Sequence, residues 1–309
     1  MRIVSLLPSA TEIVAALGGV DKLVGVTHAC DHPPVIESRA RVTSTAVDAT
    51  ATPAQIDAQV RAIMHQGLPL YTLDEVMIRK LHPDLIFTQA LCDVCAVVET
   101  DVLALAERLD PKPRVVSLSA TSIEGVFADI ARAASAMGLD DEGDELLAGL
   151  RARVRAVHDT LKAAKAPRPR VAVIEWGEPI FAGGHWVPEM VHKAGGIDVL
   201  AKAGEHSQVV TIESIVAADP DIVLIAPCGY ALPEAVAEAE RLLAHPDWSF
   251  LHTRPVWALD ANGFASRPGP RLVDGIEVMA RIFNADLFSP LDRTHAVPVM
   301  RPSPTASVP

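Results

Sequence analysis

Residues 73–89 read LDEVMIRKLHPDLIFTQ, and residues 211–227 read TIESIVAADPDIVLIAP. Both begin with an acidic helix start, pass through Pro-Asp and enter a short apolar run. A carboxylate in a first turn meets the positive end of the helix dipole, and Pro-Asp then turns the chain out of the helix. The apolar run carries no alternation, as expected of a strand covered on both faces in a parallel sheet. One such unit is a common helix–strand element. Two of them, one in each half of the chain, predict two similar lobes.

Working outward from these units, strands are expected at 2–7, 23–27, 84–88 and 114–117, with a weaker one at 69–71. Helices fit 9–18, 53–66, 74–81 and 96–109. Ser9 with Glu12 three residues on has capping-box spacing. The second half repeats the alternation, with strands at 170–175, 221–226 and 255–259 and a weaker one at 197–200. Helices fit 186–194, 212–218, 232–243 and 270–283. Between the halves, Thr121 to Ala166 holds no proline and is rich in Ala, Leu, Arg, Asp and Glu. It reads as helix, with Gly138 and Gly143 as points of interruption, and Pro167 and Pro169 stop it. The expected class is α/β: two lobes, each a mainly parallel sheet flanked by helices, joined by a single long helix. The expected divisions are a lobe at 1–118, the linking helix at 119–167, a second lobe at 168–288 and a disordered tail at 289–309. Twin lobes on one stiff helix imply a cleft and a small closing motion.

Bulk properties narrow the function. The chain has 309 residues and is 50% hydrophobic, ample for two cores, and its net charge of −12 opposes binding to nucleic acid or an anionic membrane. No apolar run reaches the roughly 18–20 residues needed to span a bilayer. Four cysteines in a chain of this size do not make a disulfide scaffold. A strand at residue 2 with no charged and apolar leader before it gives the expectation of a cytoplasmic protein, or a periplasmic one if the natural start lies upstream. P-loop, dinucleotide-binding and nucleophile-elbow motifs are absent, which argues against an enzyme.

Ligands of open parallel sheets bind beyond the carboxyl ends of the strands. The loops expected there are THACDHPP after strand 23–27, with His28 and Cys30, and TQALCDVCAV after 84–88, with Gln89, Cys92 and Cys95. In the second half they are EWGEPIFAGGHW, with Glu175, Trp176, Phe181, His185 and Trp186; PCGY, with Cys228 and Tyr230; and DANGFASRPGPR, with Asp260, Phe264, Arg267 and Arg271. All four cysteines fall in these loops. Cys92 and Cys95 have the spacing of a metal-binding or redox pair, and Cys30 and Cys228 or His28 and His185 would complete a tetrahedral site for zinc or another transition metal. Two packed thiols explain the same spacing. Trp176, Phe181, Trp186 and Tyr230 suit a flat apolar ligand, or else close the core of their lobe. Arg267 and Arg271 either hold an anionic group or pair with Asp260 or Asp274.

With these motifs assembled, the chain resembles, over about residues 2–285, the substrate-binding proteins of ABC importers that join two α/β lobes through one long helix. That class takes vitamin B12, haem, siderophores and metals. SLLPSATEIVAALG, LVGVTHACDHPP, LDEVMIRKLHPDLI, IESIVAADPDIVL and SRPGPRLVDGIEVMA resemble its cobalamin-binding branch. The resemblance implies a usually monomeric, non-catalytic binder of cobalamin or a related corrinoid. It also implies that Glu75 and Glu213 dock onto arginines of an ABC permease, and that Trp176 and Trp186 cover the corrin face. The cysteine-bearing loops depart from that branch, whose cleft is mainly aromatic. This departure keeps two other readings open: a metal or metal-chelate binder using Cys30, Cys92, Cys95 and Cys228, and a thiol-dependent redox protein.

Overall fold

The computed structural model describes residues 1–90 and 97–300. The chain divides into two compact units, Met1–Leu150 and Arg151–Pro309. In the first, strands β1 (Ile3–Ser5), β2 (Leu23–Val26), β3 (Ala40–Arg41), β4 (Thr43–Thr45), β5 (Tyr71–Leu73), β6 (Leu85–Thr88) and β7 (Arg114–Ser117) alternate with helices α1 (Pro8–Ala16), α2 (Pro53–His65), α3 (Glu75–Leu81) and α4 (Glu99–Glu107). The five-stranded sheet runs β3-β2-β1-β6-β7 with every pairing parallel, and β4 and β5 form a separate antiparallel pair. β1 and β6 are buried throughout, so their apolar runs are the central strands expected of a covered parallel sheet. Val4, Leu6 and Ile86 pack on Ile78 of α3 and Val102 and Leu105 of α4.

The stretch 121–166 is two helices, α5 (Ile123–Met137) and α6 (Asp140–Ala164). Gly138 stops α5 in the left-handed conformation, at φ +68°, where a side chain would be strained. Gly143, in contrast, is accommodated inside α6. The division between the two units falls within α6, which carries the chain from one to the other.

The second unit contains β8 (Arg170–Gly177), β9 (Ile180–Ala182), α7 (Val187–Lys193), β10 (Ile197–Asp198), β11 (Gln208–Val209), α8 (Ile212–Ala217), β12 (Ile222–Ile225), α9 (Leu232–Ala244), β13 (Val256–Leu259), α10 (Ala261–Phe264), α11 (Leu272–Phe283) and β14 (Ala296–Pro298). Its sheet runs β11-β9-β8-β12-β13-β14, with β10 also on β8. The pairings among β8, β10, β12 and β13 are parallel, while β9, β11 and β14 are antiparallel additions. The second core gathers Ile174, Val223, Ile225, Ala239, Leu242 and Trp248.

Two expectations are corrected here. Ser9 is not an N-cap: α1 begins one residue earlier at Pro8, whose fixed φ suits a first helical position, and Ser9 and Glu12 are buried. Nor is the chain beyond Ser289 a tail as far as it is described. Residues 296–298 pair with β13, and Ala296 and Val299 are buried, because a short apolar run lies inside the proline-rich composition.

Asp198, at the end of β10, accepts the N–H groups of Leu200 and Ala201, both at 2.9 Å, while its Oδ2 is enclosed without a hydrogen-bond partner. Burial pushes its pKa up to about 6. The folded state therefore holds this proton more tightly than the unfolded chain does. The contribution is stabilising below about pH 4 and is lost as pH rises through 6. Asp198→Asn is expected to remove a decline of about 2–3 kcal/mol across that window, read from urea unfolding at pH 4, 5, 6 and 7. Parallel wild-type and mutant pH profiles are the contrary result.

Candidate functional site

In the first lobe the loop after β2 is braced from inside. The Cys30 thiol lies 3.1 Å from Thr11 Oγ1 and 3.3 Å from Thr27 Oγ1, and Arg41 donates to the carbonyls of Thr27 and Cys30 at 2.9 and 2.6 Å. Cys30 is 2% exposed. The thiol, expected as a ligand or metal contact, is a packed group engaged by two hydroxyls. His28 pairs with Thr43 Oγ1 at 2.8 Å and stacks on Tyr71, and burial, aided by Arg41, holds its pKa below the usual imidazole value. Gln89 follows β6 and is buried. Cys92 and Cys95 lie outside the described residues.

The strand-end loops of the second lobe converge. The Cys228 N–H bonds the Glu175 carbonyl at 3.0 Å, the Gly229 N–H bonds Ser266 Oγ at 3.1 Å, and the Asn262 N–H bonds the Tyr230 carbonyl at 2.9 Å. Trp176 therefore meets Tyr230 edge to face, with ring centroids 5.5 Å apart. Trp176 and Tyr230 are both half-buried, and Cys228 beside them is exposed. Burial, with Glu238 nearby, raises the Tyr230 pKa, so its hydroxyl keeps its proton.

Three candidates turn inward instead. Trp186 is 6% exposed and donates its indole N–H to the Ala265 carbonyl at 2.7 Å. Phe264 is buried against His295 with Arg271 over its ring. Arg267 is buried and donates to Asn262 Oδ1 at 2.6 Å. These side chains hold the loops together, each engaged from within the lobe. Asp274 is engaged by Arg153, which also donates to Glu277 at 2.9 Å.

Sequence reading passed over His206 and Ser207, because no periodic pattern surrounds them. Ser207 Oγ donates to Glu175, 3.0 Å from each carboxylate oxygen, and the Gly184 N–H donates to Glu175 Oε2 at 3.1 Å. Burial raises the Glu175 pKa and these donors oppose the rise. Next along the chain from these two residues, His185 and His206 meet through ring nitrogens 3.0 Å apart. Burial and the neighbouring His206 lower the pKa of His185. Among the described residues no group of three or more His, Cys, Asp or Glu side chains is arranged to hold a metal ion.

Glu75 opens α3 behind its cap Asp74 and pairs with Arg108 at 2.6 Å. Glu213 lies in the first turn of α8, capped by Thr211 and Ser214, and its own N–H and the Thr211 hydroxyl hold its pKa below the usual value. No described helix is long and apolar enough to cross a membrane.

This arrangement of parallel-sheet lobes with loops gathered at strand ends has known counterparts. The vitamin B12-binding protein of Vibrio cholerae is 26% identical over 278 residues, covering 89% of this chain and 86% of that protein. A periplasmic heme-binding protein from Pseudomonas aeruginosa shares the fold with a TM-score of 0.71 at 21% identity, covering 97% of this chain and 99% of that one. The periplasmic vitamin B12-binding protein BtuF of Vibrio cholerae does so at 0.64 and 22%, covering 93% and 98%. These relatives are binding proteins and not enzymes. The sequence model of the periplasmic binding proteins matches residues 3–260, and the chain belongs to that family.

Proposed function

We propose that this protein binds a planar, metal-centred tetrapyrrole, with a cobalamin-type corrinoid as the first reading, and delivers it to an ABC permease. The observation that carries the reading is the half-buried Trp176–Tyr230 corner, held at the strand ends by backbone bonds between three loops. A flat ligand edge gains apolar area and ring contact on such a corner without ordering new side chains. The relative aligned over most of both chains carries a vitamin B12-binding name, which favours the corrinoid. Haem is the second reading, supported by the fold match to a heme-binding protein. Glu75 and Glu213, each at a helix start, are the proposed docking carboxylates for permease arginines. The family name supports a working place outside the cytoplasm over the cytoplasmic one expected from the opening residues.

The test is a parallel titration with cobalamin and with haemin, following ligand absorbance, tryptophan fluorescence and heat. A stoichiometric corrin response with weaker haemin binding is the expected result. Absence of any response up to about 50 µM of either ligand, weaker than about 6 kcal/mol of binding, rejects the reading.

A further inference from the structure

We propose that His185 and His206 form a chelating site for one divalent first-row transition ion, such as zinc, nickel or copper, separate from any tetrapyrrole. His185 Nε2 and His206 Nδ1 are 3.0 Å apart, and the ring planes cross at 84°. Two imidazole nitrogens bound to one ion at roughly 2.0–2.1 Å are themselves about 3 Å apart when adjacent in its coordination shell. A planar macrocycle fills the four equatorial positions of its own metal, leaving only opposite axial ones. Two adjacent imidazoles therefore fit an ion that no macrocycle surrounds.

A hydrogen bond between the rings would also give 3.0 Å. What distinguishes the site is the support beneath it. The His185 N–H bonds the Glu205 carbonyl at 2.6 Å, and the Gly204 N–H returns to the His185 carbonyl at 2.8 Å. Glu175 grips Gly184 and Ser207, the neighbours of the two histidines. His185 itself is held at φ +53°, a region that non-glycine residues seldom occupy. A bond between two imidazoles, one of them exposed, competes with water and contributes little. Backbone strain at His185 and the Glu175 tie between the two loops hold the imidazoles in this relation before any ion arrives. With no third described side chain completing the group, the ion keeps positions open to water or to a donor on another molecule.

The test uses the full chain, untagged and stripped with a chelator, in a Cys92→Ser, Cys95→Ser, Cys228→Ser background so that thiolates do not mask the imidazoles. Zinc, nickel and copper are titrated calorimetrically with no tetrapyrrole present. One equivalent of bound ion is expected, with His185→Asn and His206→Gln each weakening it about tenfold or more. The copper-loaded protein should show nitrogen coupling from two imidazoles in its electron paramagnetic resonance spectrum, and from one in either variant. Asparagine tolerates the left-handed backbone at 185, and His206 is exposed, so a misfolded first variant leaves the second decisive. No binding at about 100 µM ion, or binding unchanged by His206→Gln, overturns the proposal. Cobalamin and haemin titrations of the same variants report on the tetrapyrrole reading separately.

Discussion

Trp176→Ala is expected to weaken corrinoid binding about 50-fold while leaving the unfolding midpoint of the second lobe nearly unchanged. The magnitude follows from what the indole does at its position. It stands half-buried at the end of β8, its ring set edge to face with that of Tyr230. A ligand face laid on it would complete its burial, and a truncated aromatic anchor of that kind typically costs about 2–3 kcal/mol of binding. Trp176→Phe should retain most of the affinity, because a smaller ring still covers part of the ligand. Fluorescence titration with cobalamin decides the matter. An alanine variant that binds within about threefold of wild type would remove Trp176 from the site.

The second large effect is on folding. Gly184 passes so close to the neighbouring loop that a Cβ built on it would lie 2.2 Å from the Ser207 backbone nitrogen. No side chain can swing away there, because the obstacle is main chain. Gly184→Ala must separate the two loops and break the bonds from Glu175 to Gly184 and Ser207. Overpacking of this kind costs about 1–3 kcal/mol, and stranding an enclosed carboxylate adds to it. The variant should unfold at clearly lower urea concentration and lose the His185–His206 proximity. Urea unfolding within error of wild type would show that the loops separate without cost.

The strands were legible because parallel central strands are apolar on both faces and stand out as unbroken runs, as LIFT at 85–88 and IVLI at 222–225 do. The helix starts at Asp74 and Thr211 were legible because capping is a contact within a few residues of sequence. Trp176 and Tyr230 were named from the rule that loops after strands gather, and the backbone bonds of the second lobe bring those two together. The same rule also named Trp186, Phe264 and Arg267, whose side chains are buried among the loops. Position after a strand places a residue near the loop cluster but leaves open whether its side chain points outward or into the packing beneath.

From sequence alone came the α/β class, the paired architecture and the strand-end loops, because periodicity, capping and proline placement act over a few residues and are written in order along the chain. Which thiol is enclosed, which indole is spent on an internal hydrogen bond, and that His185 stands against His206 were decided only by tertiary structure. Those facts depend on atoms from segments 19 to 79 residues apart meeting at ångström range. No local pattern of residue types encodes that meeting.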